Sequence, residues 1–100
     1  MSQLLTTHDV AEIIKALQDY GVAIEFNTNT NEIEIPALVT YVNVDHGDLK
    51  MIQGDLELEY SHYSRHLWIY NEKKGEPLEI RFPRKSHVGF NNGYFWVIVH

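Results

Sequence analysis

The chain has no cysteine. Disulfides, thiolate metal centres and cysteine nucleophiles are therefore excluded. Secreted domains of this size commonly lean on disulfide staples, so their absence shifts the expectation toward a reducing compartment. No apolar run approaches the roughly 20 residues that a membrane-spanning helix needs. The opening stretch "MSQLLTTHDV" has neither the basic start nor the apolar core of a signal peptide. A cytoplasmic domain with no membrane partner is the expectation. Glycine is sparse, and Gly47, Gly54, Gly75, Gly89 and Gly93 stand isolated in turns or strands, so no glycine-rich phosphate loop is present.

Positive charge is scarce in the first part. Residues 1–60 hold only Lys15 and Lys50 against eleven acids, while residues 61–100 hold six bases against three acids, for a net charge of -6. Like charges repel, so an acidic first part disfavours wholesale binding to phosphate polymers. One hundred residues make one domain, spanning 1–100. A chain of this length buries somewhat over ~60% of its unfolded surface, enough for a core without staples.

The stretch "LTTHDVAEIIKALQDYG" carries Val10, Ile13, Ile14, Leu17 and Tyr20 on the i, i+3, i+4, i+7 face of a helix. The pattern predicts a helix over about 7–20, capped by Thr6 or Thr7, with Leu5 stapling Val10 and Gly21 taking the left-handed exit. Everything after Gly21 reads as strand. "VAIEF" puts Val22, Ile24 and Phe26 on one face, and "NTNTN" is a polar turn. "EIEI" alternates until Pro36 removes a donor. "DHGD" is a turn, and "LKMIQGD" reads equally as a helical turn or a strand. "DLELEY" alternates without fault, with Leu56, Leu58 and Tyr60 inward. "HLWIY" and "LEIRF" are two further strands joined by a turn around Gly75. The predicted class is α+β: one N-terminal helix packed on a twisted, mostly antiparallel sheet of about five to six strands, with scope to curl toward a partial barrel.

Asn92-Gly93 is the strongest turn signal, because both residues tolerate the positive φ of a type I′ hairpin. A two-residue loop there pairs Asn91 with Tyr94, Phe90 with Phe95, Gly89 with Trp96, Val88 with Val97 and His87 with Ile98. One face then carries Val88, Phe90, Phe95, Val97 and Val99, and the other Tyr94, Trp96, Ile98 and His87, with Gly89 beside the tryptophan ring. Both faces are apolar, and one helix covers only one of them. The second face is covered by curling of the sheet, by a second copy in a homodimer, or by a binding partner, for which aromatic anchors are suited.

"HYSRHLWIY" concentrates His62, His66, Arg65, Trp68 and three hydroxyl groups in nine residues. Histidines four apart bind metal when they share a helix face. Here they flank a turn between strands with no nearby acid to complete a third ligand, and "DHGD" adds His46, Asp45 and Asp48 if the two turns converge. The expectation is a hairpin, with no metal and no cofactor. Glu57 and Glu59 share one strand face about 7 Å apart, two strand rises, which outward alternation explains without catalysis. The serines lack a nucleophile-elbow pattern.

These features lead to a non-catalytic binding or inhibitor module acting on a macromolecule, foremost a protein. Its expected binding residues are Tyr94, Trp96, Ile98, Glu57 and Glu59. A compact acidic chain suits a phage or mobile-element product that blocks a host factor, its acid rows imitating phosphates. The alternative is an oligonucleotide-binding module using Lys73, Lys74, Arg81, Arg84 and Lys85 with Trp68 as a stacking platform. A small metal-dependent hydrolase built on His46, His62 and His66 ranks third.

Overall fold

The computed structural model describes residues 3–6 and 9–99. Among the described residues it is an α+β fold of one α-helix, one short 3-10 turn and ten strands, and no closed barrel forms. The strands are β1 (Gln3–Thr6), β2 (Glu25–Asn27), β3 (Glu32–Pro36), β4 (Leu38–Asn43), β5 (Asp48–Gln53), β6 (Leu56–Ser61), β7 (His66–Tyr70), β8 (Leu78–Arg81), β9 (His87–Asn91) and β10 (Tyr94–Ile98). They form not one sheet but two: a six-stranded sheet in the order β1-β8-β7-β6-β5-β4 and a four-stranded sheet in the order β2-β3-β10-β9. Every pairing is antiparallel except β1 with β8.

The division into two sheets originates at Pro36. β3 lies in the four-stranded sheet and β4 in the six-stranded one, with only Ala37 between them. Ala37 N donates to Gly93 O at 3.0 Å, which is the last link to the C-terminal hairpin. Proline has no N–H to continue a ladder, so the chain turns from one sheet to the other there. Gln53 secures the corner. Its Nε2 donates to both Ala23 O and Pro36 O at 2.9 Å, and its Oε1 accepts from Ala23 N at 2.8 Å. β4 is an open edge, and its pairing with β5 slips by one residue between Val39 and Tyr41, a bulge at Thr40.

The two sheets share one core. Leu58, Leu67, Ile69 and Ile80 of the large sheet, and Ile33, Ile35, Phe95 and Val97 of the small one, are essentially inaccessible to solvent. The helix α1 (Val10–Asp19) adds Ile13 and Leu17, with Tyr20 just beyond it, while Val10, Ile14 and Ala16 pack at its margins. The stripe read from the sequence is thus the buried one. The start of the helix is different. Asp9 is the N-cap, its side chain accepting from Ala11 N at 2.9 Å, and Thr6 ends β1. Thr7 lies outside the described residues. Leu5 packs against the core from β1, opposite Ile80, and not as a staple on the helix. Beyond the helix, Gly21 takes φ +83°. Tyr20 OH donates to Glu76 O, and Asn71 Nδ2 donates to Tyr20 O, so the helix end is tied to the turn that precedes β8.

The C-terminal hairpin has the register that its turn dictates. Asn92 and Gly93 both take positive φ, and Phe90 opposes Phe95, Gly89 opposes Trp96, and His87 opposes Ile98. "LKMIQ" is β5, and the polar cluster "TNTN" joins β2 to β3 with Asn31 at φ +58°.

Candidate functional site

The outer face of the four-stranded sheet carries aromatic residues and acids side by side. Trp96 sits between Glu34 on β3 and Gly89 on β9, and Glu25 of β2 lies beyond Glu34 in the same row. The next row is Asn27, Glu32, Ile98 and His87. Tyr94 opposes Pro36 and Asn91. Tyr94, Trp96 and Ile98 are each half-buried, and among the described residues no second sheet lies over them. A hollow of about 360 Å³ is lined by Glu32, Glu34, Asn91, Asn92, Tyr94 and Trp96.

Alternation explains the face. Residues of β3 and β10 that point away from Ile33, Ile35, Phe95 and Val97 must point outward. The acids there feel one another. A hydrogen bond with Glu32 holds the Glu34 carboxyl above its ordinary pKa, and partial burial and the Glu32 charge act the same way. The Glu25 charge, with a hydrogen bond to it, raises Tyr94. Glu32 and Glu34 stand two residues apart on one strand and so project from the same face, where the neighbouring carboxylate opposes ionisation of Glu34.

The Trp96 ring lies against Gly89. A Cβ built on Gly89 would stand 2.5 Å from Trp96 Cζ2 and 2.9 Å from Cε2. Gly89→Ala is therefore expected to displace the ring from the strand, at a cost of about 1–3 kcal/mol, the range for overpacking. In a Trp68→Phe background, where Trp96 is the sole tryptophan, its emission should shift to the red. An unchanged spectrum would mean that the ring does not cover the glycine.

Glu57 and Glu59 lie elsewhere, on the outer face of the six-stranded sheet, so the five binding residues expected from the sequence fall on two separate sheets. Glu59 stands between Lys50 and Trp68, with Lys50 Nζ at 4.0 Å from its carboxylate, and Glu79 lies beyond Trp68. An exposed pair at that distance contributes little. Tyr70 is raised by burial first, then by the charges of Glu59, Glu79 and Glu57. Leu4, Leu38, Tyr41 and Ile52 are exposed on the same sheet.

The two histidines of "HYSRHLWIY" have different surroundings. His62 is in the β6–β7 turn with its Nδ1 at 3.2 Å from Tyr60 OH. His66 is on β7 with its Nδ1 at 3.1 Å from Glu79 Oε1 and its ring edge-on to Trp68. The turn bearing His46 does meet that bearing His62, since His62 N donates to Gly47 O at 2.9 Å. Among the described residues no group of three or more His, Cys, Asp or Glu side chains is placed to hold a metal ion. Nor do the five bases gather. Lys73 and Lys74 form a 3-10 turn before β8, where Lys74 Nζ lies 5.8 Å above the Tyr20 ring, whereas Arg81, Arg84 and Lys85 lie at the other end of that strand.

Glu25 was not singled out from the sequence. Its signal was present in the four-residue turn "TNTN", which pairs Asn27 with Glu32 and hence Glu25 with Glu34. No helix of the described chain is long and apolar enough to cross a membrane. Compared with models of known families, with curated proteins and with solved structures, the chain matches none of them.

Proposed function

We propose that the chain is a non-catalytic binding module that docks a basic protein surface on the outer face of its four-stranded sheet. The observation that carries this reading is the placing of Trp96, Tyr94 and Ile98, half-exposed on an open sheet face, beside the carboxylates of Glu25, Glu32 and Glu34. Aromatic side chains with a polar tip are favoured interface anchors, and lysine or arginine heads are attracted both to ring faces and to carboxylates. A second copy is the poorer occupant of this face. A two-fold pairing would set the same carboxylates against one another. Acid rows imitate phosphates, so the proposed partner is a nucleic-acid-binding factor, and occupying its basic surface inhibits it. A phage or mobile element blocking a host factor fits that action.

Calorimetric titration with a lysine-rich peptide tests the face. Trp96→Ala and Glu34→Lys are each expected to weaken binding by about 2 kcal/mol or more, roughly 30-fold, while the protein stays folded. Affinity should also rise with pH through the raised pKa of Glu34, because a cation prefers the ionised carboxylate, and should level off above it. Affinity that survives both substitutions would remove this face from consideration. A partner captured from a lysate counts in favour only if its retention is lost in the same two variants.

A further inference from the structure

The end of the molecule where the β6–β7 turn meets the β8–β9 loop concentrates positive charge in a chain whose net charge is -6. A hollow of about 300 Å³ there is lined by Tyr63, Ser64, Arg65, His66, Arg81 and Arg84, together with one phenylalanine, and by no carboxylate. We propose that this hollow binds the phosphate group of a small phosphorylated molecule, or free phosphate, independently of the acidic face.

The arginines are brought together by the way the two loops are stitched. Arg65 takes φ +59° at the end of the β6–β7 turn. Its carbonyl accepts from Phe82 N at 2.9 Å, and its Nη1 donates to Ser86 O at 3.1 Å. A second, longer contact runs from Nη2 to Arg84 O at 3.5 Å. The guanidinium also hydrogen-bonds with the Tyr60 side chain, so it is fixed in place before any ligand arrives. Arg81 and Arg84 are exposed, and neither forms an ion pair among the described residues. Glu79, the nearest acid on the same sheet face, is engaged by His66 at 3.1 Å.

Three arginines lining one hollow gather positive charge that an anion would relieve. A planar fork of N–H donors matches the oxygens of a tetrahedral phosphate, and the Ser64 hydroxyl adds a neutral donor. The sheet face leading away from the hollow argues against a polymer. Beyond His66 come Glu79, Glu59 and Glu57, on which successive phosphates of a nucleic acid would have to lie. A single phosphoryl group meets the arginines alone.

Titration of the isotope-labelled protein with inorganic phosphate, followed by amide chemical shifts, reads the site. The expected shifts centre on residues 63–66 and 81–85 and saturate. Arg81→Ala/Arg84→Ala should weaken phosphate binding at least about tenfold, since each charge-assisted hydrogen bond contributes on the order of a factor of ten. Lys73→Ala/Lys74→Ala, at the other end of β8, should change it less than about twofold. Both pairs are exposed, and a thermal melt confirms that each variant is folded. A nucleoside monophosphate binding more tightly than phosphate identifies a phosphomonoester as the ligand, and equal affinity identifies the free anion. The proposal is overturned if sodium chloride of equal ionic strength produces the same shifts, or if the arginine pair can be removed without loss. It is equally overturned if a single-stranded oligonucleotide gains affinity steadily with length, because the site would then be part of a nucleic-acid track.

Discussion

Phe95→Ala is expected to remove about 3–5 kcal/mol of stability, among the largest losses any single truncation in this chain can produce. Phe95 is completely inaccessible to solvent on β10, between Ile35 and Phe90. Its ring meets Tyr60 of the six-stranded sheet edge-on, with the centroids 5.0 Å apart. It is therefore a contact between the two sheets and not only within one. Truncation loses the transfer energy of a phenyl group, an edge-to-face contact of about 0.5–1.5 kcal/mol, and the packing of whatever cannot collapse into the gap. Small domains have about 5–15 kcal/mol in total, so the variant should sit close to its unfolding midpoint in mild urea. The measurement is a urea curve, with the midpoint lowered and the slope unchanged. A loss under about 1 kcal/mol would mean that the two sheets do not close on this ring.

Leu17→Ala is the second. Leu17 and Ile13 are wholly buried on the helix, whereas Ile14 on the adjacent position is only half-buried. Leu17→Ala should cost about 2–5 kcal/mol, and Ile14→Ala distinctly less, because a partly exposed site leaves a smaller cavity and loses less transfer energy. The comparison is internal to one helix, so propensity differences nearly cancel. Equal losses at the two positions would mean that the helix is rotated relative to the orientation described above.

The parts of this molecule that were legible in its sequence are those with short-range causes. The stripe Ile13, Leu17 and Tyr20 follows from the helical period. The alternation of "DLELEY" is that of β6, and Asn92-Gly93, both at positive φ, sets the whole β9–β10 register and so the separation of Phe95 from Trp96. What stayed hidden depends on long-range pairing. "QLLT" is too short to show a period, and its role as a parallel strand on β8 is decided by residues more than seventy positions away. The proposed cap at Thr6 failed for that reason: the residue was already committed to a strand, and Asp9 took over the capping. A single sheet was expected because alternation identifies strands but not their neighbours, and the change of sheet at Pro36–Ala37 needs the partners on both sides to be seen. The basic residues looked like one cluster because Lys73, Lys74, Arg81, Arg84 and Lys85 are close in sequence. A strand between them carries them to opposite ends.

The bulge at Thr40 bears on how this chain meets copies of itself. β4 is an open edge whose six residues, "LVTYVN", carry no charge, and Leu38, Tyr41 and Val42 are exposed along it. Such an edge invites an incoming strand, and charged side chains are the usual deterrent. Here the deterrent is geometric. The slip between Val39 and Tyr41 changes the phase of side chains along the edge. A strand that matches one side of the slip therefore meets the other side with its faces inverted. A sheet extended from one copy to the next through this edge would therefore be interrupted at Thr40, after two or three rungs.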